Sequence, residues 1–259
     1  MAGINIQKKY ISALAKDGKR IDGRKPDEFR EISIETGVIP NAEGSARVRI
    51  GETEVLMGVK IDIGTPFPDT PDEGVLMSGA ELHPMASRRF ETGPPDAESI
   101  ELARVVDRGI REAHAIDTKK LCITPGEKIW MVMIDAHVMN HQGNLIDACG
   151  LAAMAALSTA RMPKLDEEGK IVIGEKSDEP LPITTKVFPV TVARINGRLM
   201  LDPTLEEEDT MDVRLTISTK DDGNITAMQK GLTGALTMKE IEEAIDMSIK
   251  KGKELRKLL

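Results

Sequence analysis

The most apolar continuous segment of the chain spans residues 128–161, and it constrains the fold more than any other part of the sequence. Residues 129–138 are rich in branched and sulfur-containing side chains and are too few to span a membrane, so they predict a buried central strand. Residues 145–160 are dominated by Ala, Leu and Met and contain no proline, which predicts a helix that can pack closely against a sheet. The core is therefore expected to form around this strand and this helix.

The loop between that strand and that helix is polar and consists of Asn140, His141, Gln142, Gly143 and Asn144. A strand, a short loop and a helix N-terminus form a common anion-binding arrangement, because several backbone N–H groups converge there. The function of the chain therefore depends on whether this loop can hold a phosphate.

Hydrophobic periodicity divides the rest of the chain into two series of paired strands, each followed by a helix. Strands are predicted at residues 32–34, 46–50, 55–63 and 74–82, and again at residues 187–195, 198–202, 213–219 and 225–230. Helices are predicted at residues 5–16, at residues 96–115 and after a capping box of Thr237 and Glu240, and residues 83–95 are predicted to form a mobile loop. We therefore expect an α+β fold with a loose internal duplication, made of an N-terminal lobe (1–162), a connecting segment (163–182) and a C-terminal lobe (183–259).

The 259-residue chain carries a formal net charge of −8, which argues against a protein that coats nucleic acid with its whole surface. Any contact with RNA must therefore be local or shared with a partner. The sequence shows no secretory signal and no long apolar run, so a soluble protein of the cytoplasm is expected. Cys122 and Cys149 lie in apolar segments without metal-ligand spacing, which favours buried free thiols.

Three arginines, Arg104, Arg108 and Arg111, recur at helical spacing within residues 96–115. Such a row can grip a phosphate backbone, or it can form ion pairs with acids on the same helix, and spacing alone favours the ion pairs. The buried side of this helix is predicted to consist of Ile100, Ala103, Val106, Ile110 and Ala113.

The densest group of carboxylates consists of Asp202 and residues 206–209. Carboxylates gathered beside a strand end can hold Mg²⁺ or act in acid–base catalysis, but an exposed turn between two strands is the simpler interpretation. The basic segment 19–24 is likewise most simply a solvated linker with local ion pairs.

Three motifs occur in order along the chain. They are Arg20-x-Asp22-Gly23-Arg24 with Arg30 downstream, Glu43-Gly44-Ser45-Ala46 leading into a hairpin, and Gly143-Asn144-Leu145-Ile146-Asp147-Ala148. Together they resemble the RNase PH family over nearly the whole chain. Within that family, the chain is most similar to the ring subunits of the archaeal exosome that are usually called non-catalytic.

The resemblance implies a duplicated fold of the ribosomal protein S5 domain 2 type. It also implies a hexameric ring, in which three copies of this chain alternate with three copies of a catalytic RNase PH-like subunit. Such rings carry cap proteins of the S1/KH type, thread single-stranded RNA through a central pore and cleave its 3′ end with inorganic phosphate. No cofactor and no metal ion are expected in this chain itself.

The chain departs from the catalytic pattern of the family at the phosphate site. Where active members carry an arginine-bearing loop, this sequence has Gln142, Gly143 and Asn144, and a neutral Asn cannot replace a bidentate arginine against a dianion. Where active members have paired arginines before the first long helix, this sequence has Ala97 and Glu98. Asp202 and Glu208 resemble the carboxylate pair of the family, but carboxylates without a phosphate site cannot carry out phosphorolysis. The resemblance therefore implies a non-catalytic subunit without catalytic residues of its own.

The resemblance also changes the interpretation of the arginine row. In exosome rings the non-catalytic subunit contributes basic residues from this helix to RNA near its neighbour's active site, so Arg104 and Arg108, with Arg111 after them, are expected to bind RNA. Two alternatives remain open: an active phosphorolytic exoribonuclease with an atypical phosphate loop, and a purely architectural ring component without RNA contact.

Overall fold

The computed structural model describes residues 2–259, with side chains from residue 6 onward. The first part contains α1 (Ala2–Lys16), β1 (Ile32–Thr36), β2 (Gly44–Ile50), β3 (Thr53–Gly64), β4 (Val75–Leu82), α2 (Ala97–Glu112), β5 (Cys122–Thr124), β6 (Lys128–Asn140) and α3 (Leu145–Thr159). The second part contains β7 (Arg161–Leu165), β8 (Ile171–Pro180), β9 (Phe188–Ile195), β10 (Arg198–Leu201), α4 (Leu205–Glu208), β11 (Val213–Thr219), β12 (Ile225–Gly231) and α5 (Met238–Leu255). The predicted α+β class and the predicted order of strands and helices are confirmed.

The N-terminal sheet has the strand order β1-β2-β3-β6-β4, and β5 pairs with the start of β6. β6 is the predicted central strand, and it lies between antiparallel β3 and parallel β4. The parallel pair requires a crossover connection, which α2 supplies. One face of the sheet is apolar and buried, with Val48, Ile61 and Val132 fully shielded from solvent. Because polar residues alternate with apolar residues along these strands, the polar side chains lie on the other face of the sheet, which points outward.

The C-terminal sheet is antiparallel throughout, with the order β10-β9-β11-β12. The predicted turn between β9 and β10 is confirmed, since Asn196 and Gly197 both have positive φ, at 48° and 79°, as a tight hairpin of this kind requires. α5 packs on this sheet, and it begins with the predicted capping box: Thr237 N–H donates to the Glu240 carboxylate at 2.7 Å, and Glu240 N–H donates back to the Thr237 hydroxyl at 3.3 Å.

α3 lies between the two sheets and is shared by both. Every residue from Leu145 to Leu157 is buried, as the composition of this segment predicts. On one side Gly44 of β2 lies so close that an added Cβ would be 2.3 Å from the Ala156 carbonyl oxygen. On the other side Gly150 lies equally close to Pro189 of β9. Because these residues are small, the backbone of α3 comes into close contact with both lobes.

No helix in residues 2–259 is both long enough and apolar enough to cross a membrane.

α1 precedes the N-terminal sheet in the chain but packs against the C-terminal lobe. Ile11 and Ala15 of α1 are buried in a small cluster with Ile195 and Met200. The helix ends at the predicted position, because Gly18 has φ of 69° and its N–H donates to the Ala15 carbonyl at 2.9 Å. α1 therefore attaches the segment before the N-terminal sheet to the C-terminal lobe.

Two expectations about burial are wrong. The buried side of α2 contains Leu102, Val105, Val106 and Ile110, whereas Ile100 is 48% exposed. α2 packs against its neighbours through a face that does not include Ile100. Only tertiary packing determines which face of the helix is buried. Cys149 is buried as a free thiol, but Cys122 is only half-buried. Burial raises the pKa of the Cys149 thiol to about 12.

The segment assigned to the connection between the lobes contains a β-hairpin. β7 and β8 pair antiparallel with register shifts, and Gly169 and Gly174 adopt positive φ within it. Its apolar residue Ile173 is almost fully exposed. The hairpin is attached to the core where Leu181 N–H donates to the Ala160 carbonyl at 3.1 Å.

Gly150→Ala should destabilise the protein, although Ala is favoured over Gly within a helix by about 1 kcal/mol. The new methyl carbon would lie 2.3 Å from Pro189 Cγ, and the stiff proline ring cannot move aside without shifting β9. We expect a net loss of about 1–3 kcal/mol in the free energy of unfolding, measured by chemical denaturation. Gly58→Ala is the control, because an added Cβ there has no neighbour within 4 Å. Equal stability of the two variants would contradict this account of α3 packing.

Candidate functional site

Asp202 is fully buried at the end of β10, where its carboxylate accepts hydrogen bonds from three side chains. Arg24 Nη1 donates to Oδ2 at 2.9 Å, and Arg30 Nη2 donates to Oδ1 at 2.7 Å. Asn144 Nδ2 donates to Oδ1 at 2.8 Å. Burial raises the pKa of Asp202, but the hydrogen bonds and charge of Arg30, followed by the charge of Arg24, outweigh burial and hold the pKa below its usual range. The carboxylate is therefore ionised and fully engaged.

A second buried ion pair lies beside it. Arg20 is almost completely buried, and its Nε donates to Glu207 Oε1 at 2.9 Å. Arg20 Nη2 also donates to the backbone carbonyl of Asp202 at 2.8 Å. The two simpler interpretations from the sequence are wrong for the buried members: Arg20 pairs with Glu207, and Arg24 pairs with Asp202. Lys19 and residues 21–23 are exposed, and Arg24 also forms the predicted local ion pair, with Asp22 at 2.6 Å.

The carboxylate oxygens that could bind a metal ion here are already occupied by these ion pairs. In the part of the chain that the structure describes, no group of three metal-ligating side chains gathers at Asp202. A cation placed there would have to displace two guanidinium groups, which cannot lose their charge.

The predicted anion-binding loop, residues 141–144, has no free backbone donor. Its four N–H groups already have acceptors within the protein. The His141 N–H donates to the Ala86 carbonyl at 3.1 Å, and the Gln142 N–H donates to the Thr53 hydroxyl at 3.2 Å. The Gly143 N–H donates to His141 Nδ1 at 3.4 Å, and the Asn144 N–H donates to the Glu208 carboxylate at 2.8 Å. An external phosphate would have to break these bonds before the loop could hold it.

Glu208 occupies the position at the start of α3 that an anion would take. Its carboxylate accepts from the Asn144 N–H, and both this N–H and the helix dipole favour a negative group there. Burial raises the pKa of Glu208 to about 7, although the hydrogen bond from Asn144 opposes that rise. The strand, loop and helix still form the predicted geometry, but the protein fills it with its own carboxylate.

The backbone of the loop is also packed too tightly to open. Gly143 has φ of 94°, and an added Cβ would lie 2.5 Å from the Pro203 carbonyl oxygen. Arg30 Nη1 donates to the Gln142 carbonyl at 2.8 Å, and the Thr53 hydroxyl donates to the Gly143 carbonyl at 2.7 Å. Gln142 and Gly143 therefore serve as attachment points of the loop.

A pocket of about 240 Å³ lies beside this loop. Its ionisable lining groups are Arg89, Arg214, His141, Glu98, Glu101, Glu208 and Asp209, and burial lowers the pKa of His141 to about 4. Arg89 pairs with Asp209 at 2.5 Å. Arg214 pairs with Glu101 at 2.6 Å. Burial, followed by the charge of Asp96, raises the pKa of Glu98. Carboxylates thus outnumber arginines, and a phosphate dianion entering the pocket would be repelled.

Ala97 and Glu98 are the first residues of α2, directly after the N-cap residue Asp96. The Asp96 side chain accepts from the Ser99 N–H at 2.8 Å. A carboxylate in the first turn of a helix stabilises that helix, so Glu98 has a structural role that an arginine would not fulfil.

Asn144 and Asp147 form a buried polar network that sequence reasoning did not find. Asn144 Nδ2 donates to Asp147 Oδ2 at 2.9 Å as well as to Asp202. The Thr191 hydroxyl of β9 donates to Asp147 Oδ1 at 2.7 Å, and its N–H donates to Oδ2 at 2.9 Å. Burial raises the pKa of Asp147 to about 7. The signal in the sequence is a single carboxylate within an otherwise apolar helix.

The arginine row of α2 divides into two kinds of side chain. Arg111 pairs with Asp107 at 2.9 Å and also donates to the Leu76 carbonyl at 3.2 Å. Arg104 and Arg108 are exposed, and within residues 6–259 neither forms an ion pair. The ion pairs that spacing predicts are therefore confirmed for Arg111 alone.

A groove of about 760 Å³ runs between α2 and β12 along these arginines. Arg104 and Arg108 line it together with Gln229 and two exposed apolar side chains, Ile100 and Met228. The groove therefore combines these two arginines with apolar surface, and Glu101, Asp107, Arg111 and Glu112 also line it.

Comparison with known proteins supports the resemblance found in the motifs. The "3′ exoribonuclease family, domain 1" matches residues 28–163, and "3′ exoribonuclease family, domain 2" matches residues 186–251. A protein of Thermococcus gammatolerans, called exosome complex component Rrp42, is 52% identical, with 100% of this chain and 95% of that protein covered. A chain of the Archaeoglobus fulgidus exosome with RNA bound to the active site has a TM-score of 0.92 and 45% identity, with 99% of each chain covered.

Glu208→Gln should reduce the loss of stability between mildly acidic and neutral pH. The Glu208 carboxyl has a pKa of about 4.3 in the unfolded protein and of about 7 in the folded protein. The folded state therefore binds more protons than the unfolded state in the pH window between these two values. Stability contributed by this group is therefore lost as pH rises through the window and stays lost above it. Asp147 acts in the same direction, whereas His141, whose pKa burial lowers to about 4, acts in the opposite direction, so the variant should lose less unfolding free energy than the parent protein as the pH rises.

The control is Glu206→Gln, which removes a neighbouring carboxylate on α4 and should leave the slope unchanged. Chemical denaturation from pH 4.5 to pH 8 measures both variants. A Glu208→Gln slope equal to that of the parent protein would show that this carboxylate is not buried at the helix N-terminus.

Proposed function

Because this chain belongs to the 3′ exoribonuclease (RNase PH) family, we propose that it is a non-catalytic, RNA-binding subunit of an archaeal-type exosome. Its role is to complete the ring beside a catalytic RNase PH-like subunit and to help hold the RNA end. The observation that carries the proposal is the hydrogen bond from the Asn144 N–H to the Glu208 carboxylate, because the phosphate position of the fold is filled from within.

Phosphorolysis requires a site that attracts inorganic phosphate and positions it for attack on the 3′ phosphodiester bond. Here the loop after β6 offers no free N–H in residues 141–144 and no positive side chain. The adjacent pocket carries an excess of carboxylates. Each of these features raises the free energy of bound phosphate, so the chain lacks the first requirement of the reaction.

Asp202 and Glu208, which resemble the carboxylate pair of the family, already accept hydrogen bonds from other groups of the protein. Asp202 accepts from Arg24, Arg30 and Asn144, and Glu208 accepts from the start of α3. A carboxylate that is held by guanidinium groups is a poor proton acceptor, because its pKa is lowered. Asp202 therefore stabilises the fold instead of assisting proton transfer, whereas burial raises the pKa of Glu208 to about 7 and its carboxylate accepts the N–H at the start of α3.

RNA contact is supported by the free arginines of α2. Arg104 and Arg108 lie four residues apart on an exposed helical face, so their guanidinium groups can reach neighbouring phosphates of one strand. Ile100 and Met228 beside them give apolar surface for bases or riboses. Contacts of this type depend on charge and shape, so binding should be insensitive to RNA sequence.

The partners follow from the relatives, which are named as exosome components. The proposed assembly is a ring of three copies of this chain and three copies of a catalytic RNase PH-like subunit, with S1/KH-type cap proteins and single-stranded RNA as further partners. The proposed location is the cytoplasm.

The isolated chain should not release nucleoside diphosphates when incubated with RNA, phosphate and Mg²⁺. The same mixture with the catalytic partner added should release them processively. Product formation followed by chromatography distinguishes a non-catalytic subunit from an enzyme with an atypical phosphate loop. Release by the isolated chain, at a rate proportional to its concentration, would overturn the non-catalytic role.

Arg104→Ala together with Arg108→Ala should weaken RNA binding by the reconstituted complex. Each lost phosphate contact should lower the slope of log affinity against log salt by about 0.7, the value for single strands. Fluorescence anisotropy at several salt concentrations measures both quantities. Arg198→Ala is the control for the loss of a single exposed positive charge, because Arg198 is exposed at a hairpin end in the other lobe. If the double variant and this control have the same affinity and slope as the parent complex, the subunit is architectural.

A further inference from the structure

We propose that Glu81, His83 and His137 form a binding site for a transition-metal ion of the zinc class on the outer face of the N-terminal sheet. This site is separate from the buried network around Asp202 and from the groove along α2. It is the one group of three metal-ligating side chains that the described residues bring within ligand distance of each other.

The sheet itself brings the three residues together. Glu81 of β4 is paired with His137 of β6 in the parallel register of these strands. His83 follows Glu81 by two residues, so its side chain returns to the same side of the backbone. Strand pairing therefore fixes the positions of Glu81 and His137, and His83 is the first residue after β4, at the start of the loop 83–95.

The distances fit a single small cation. His83 Nε2 lies 3.1 Å from His137 Nδ1. One oxygen, Glu81 Oε2, lies 3.8 Å from His83 Nε2 and 3.6 Å from His137 Nδ1. Zinc bonds to nitrogen and oxygen of about 2.0–2.2 Å in a tetrahedral site place neighbouring ligand atoms about 3.3–3.6 Å apart. The triangle of ligand atoms therefore has the size of one face of a zinc coordination tetrahedron.

In the absence of a metal ion, the two imidazoles share a hydrogen bond. Their ring planes differ by 5° and their centroids are 5.3 Å apart, which together with the short nitrogen contact places the rings edge to edge. One nitrogen must carry the shared proton, and a metal ion would replace it. Because the two nitrogens now point at each other, both rings would have to turn away from the line between them before their lone pairs could meet at one ion.

The surroundings permit that rotation and give the ion access. The side chains of His83 and His137 are 34% and 37% exposed, and that of Glu81 is 66% exposed. Three protein ligands leave the fourth position open to water. Asp135 leans over Gly79, one pair earlier on the same face, and its carboxylate adds negative potential beside the site.

The ligand set determines the kind of metal. Two imidazole nitrogens and one carboxylate oxygen suit Zn²⁺, Ni²⁺ or Cu²⁺, whereas Mg²⁺ and Ca²⁺ prefer oxygen ligands alone. Zinc is the probe of choice, because it accepts four ligands without redox chemistry.

The test is a zinc titration of the full, tag-free chain, monitored by competition with a chromophoric chelator and by metal analysis after dialysis. We expect one Zn²⁺ per chain. His83→Ala and His137→Ala should each weaken binding about 100-fold, and Glu81→Gln about 10-fold. His114→Ala is the matched control, since His114 is an exposed histidine outside the cluster, and it should bind as the parent protein does.

The three cluster variants should keep the parent thermal transition in the absence of zinc, because their side chains point outward from the sheet. Zinc should raise the transition temperature of the parent protein and of His114→Ala but not that of the histidine variants. Binding weaker than about 100 μM, or binding that survives both histidine substitutions, would overturn the site. Neither result bears on the proposed exosome role, which rests on other residues.

Discussion

The buried carboxylate of Asp202 is the interaction on which the relative position of the two lobes depends. It belongs to the end of β10, yet its hydrogen-bond donors come from the segment before β1 and from the start of α3. An unpaired carboxylate in this position would be unstable by several kcal/mol, so the three segments have to meet for any of them to be stable. The Arg20–Glu207 pair beside it attaches the same basic segment to α4.

This network supports the proposal that the chain keeps the RNase PH fold without carrying out phosphorolysis. The carboxylates that resemble a catalytic pair and the loop that resembles a phosphate site are connected to each other, through Asn144 and Glu208. Once a protein carboxylate satisfies the N–H at the start of α3, the helix no longer needs an external anion. Stability and phosphate binding compete for the same donors, and in this chain stability has taken them.

The surfaces left for interaction therefore lie outside the ancestral site. Two of the acids near Arg104 and Arg108 are engaged with other arginines: Glu101 pairs with Arg214, and Asp107 pairs with Arg111. The outer face of the N-terminal sheet is free because α3 covers only its inner face. The proposed role depends on contacts through such surfaces, and the packing of α2 and α3 determines which residues are on them.

The sequence by itself determined the two strand series, the central strand and helix, and the departure of Gln142, Gly143 and Asn144 from a phosphate-binding pattern, because periodicity and side-chain charge are local properties. It did not determine that Ile100 faces a groove, that Arg20 is buried, or that the acidic run closes onto the loop after β6. Those outcomes depend on contacts between residues that are far apart in the chain, from 64 positions for Asn144 and Glu208 to 187 for Arg20 and Glu207. Only the tertiary structure decided them, since a charge is solvated or buried according to what the rest of the chain places beside it.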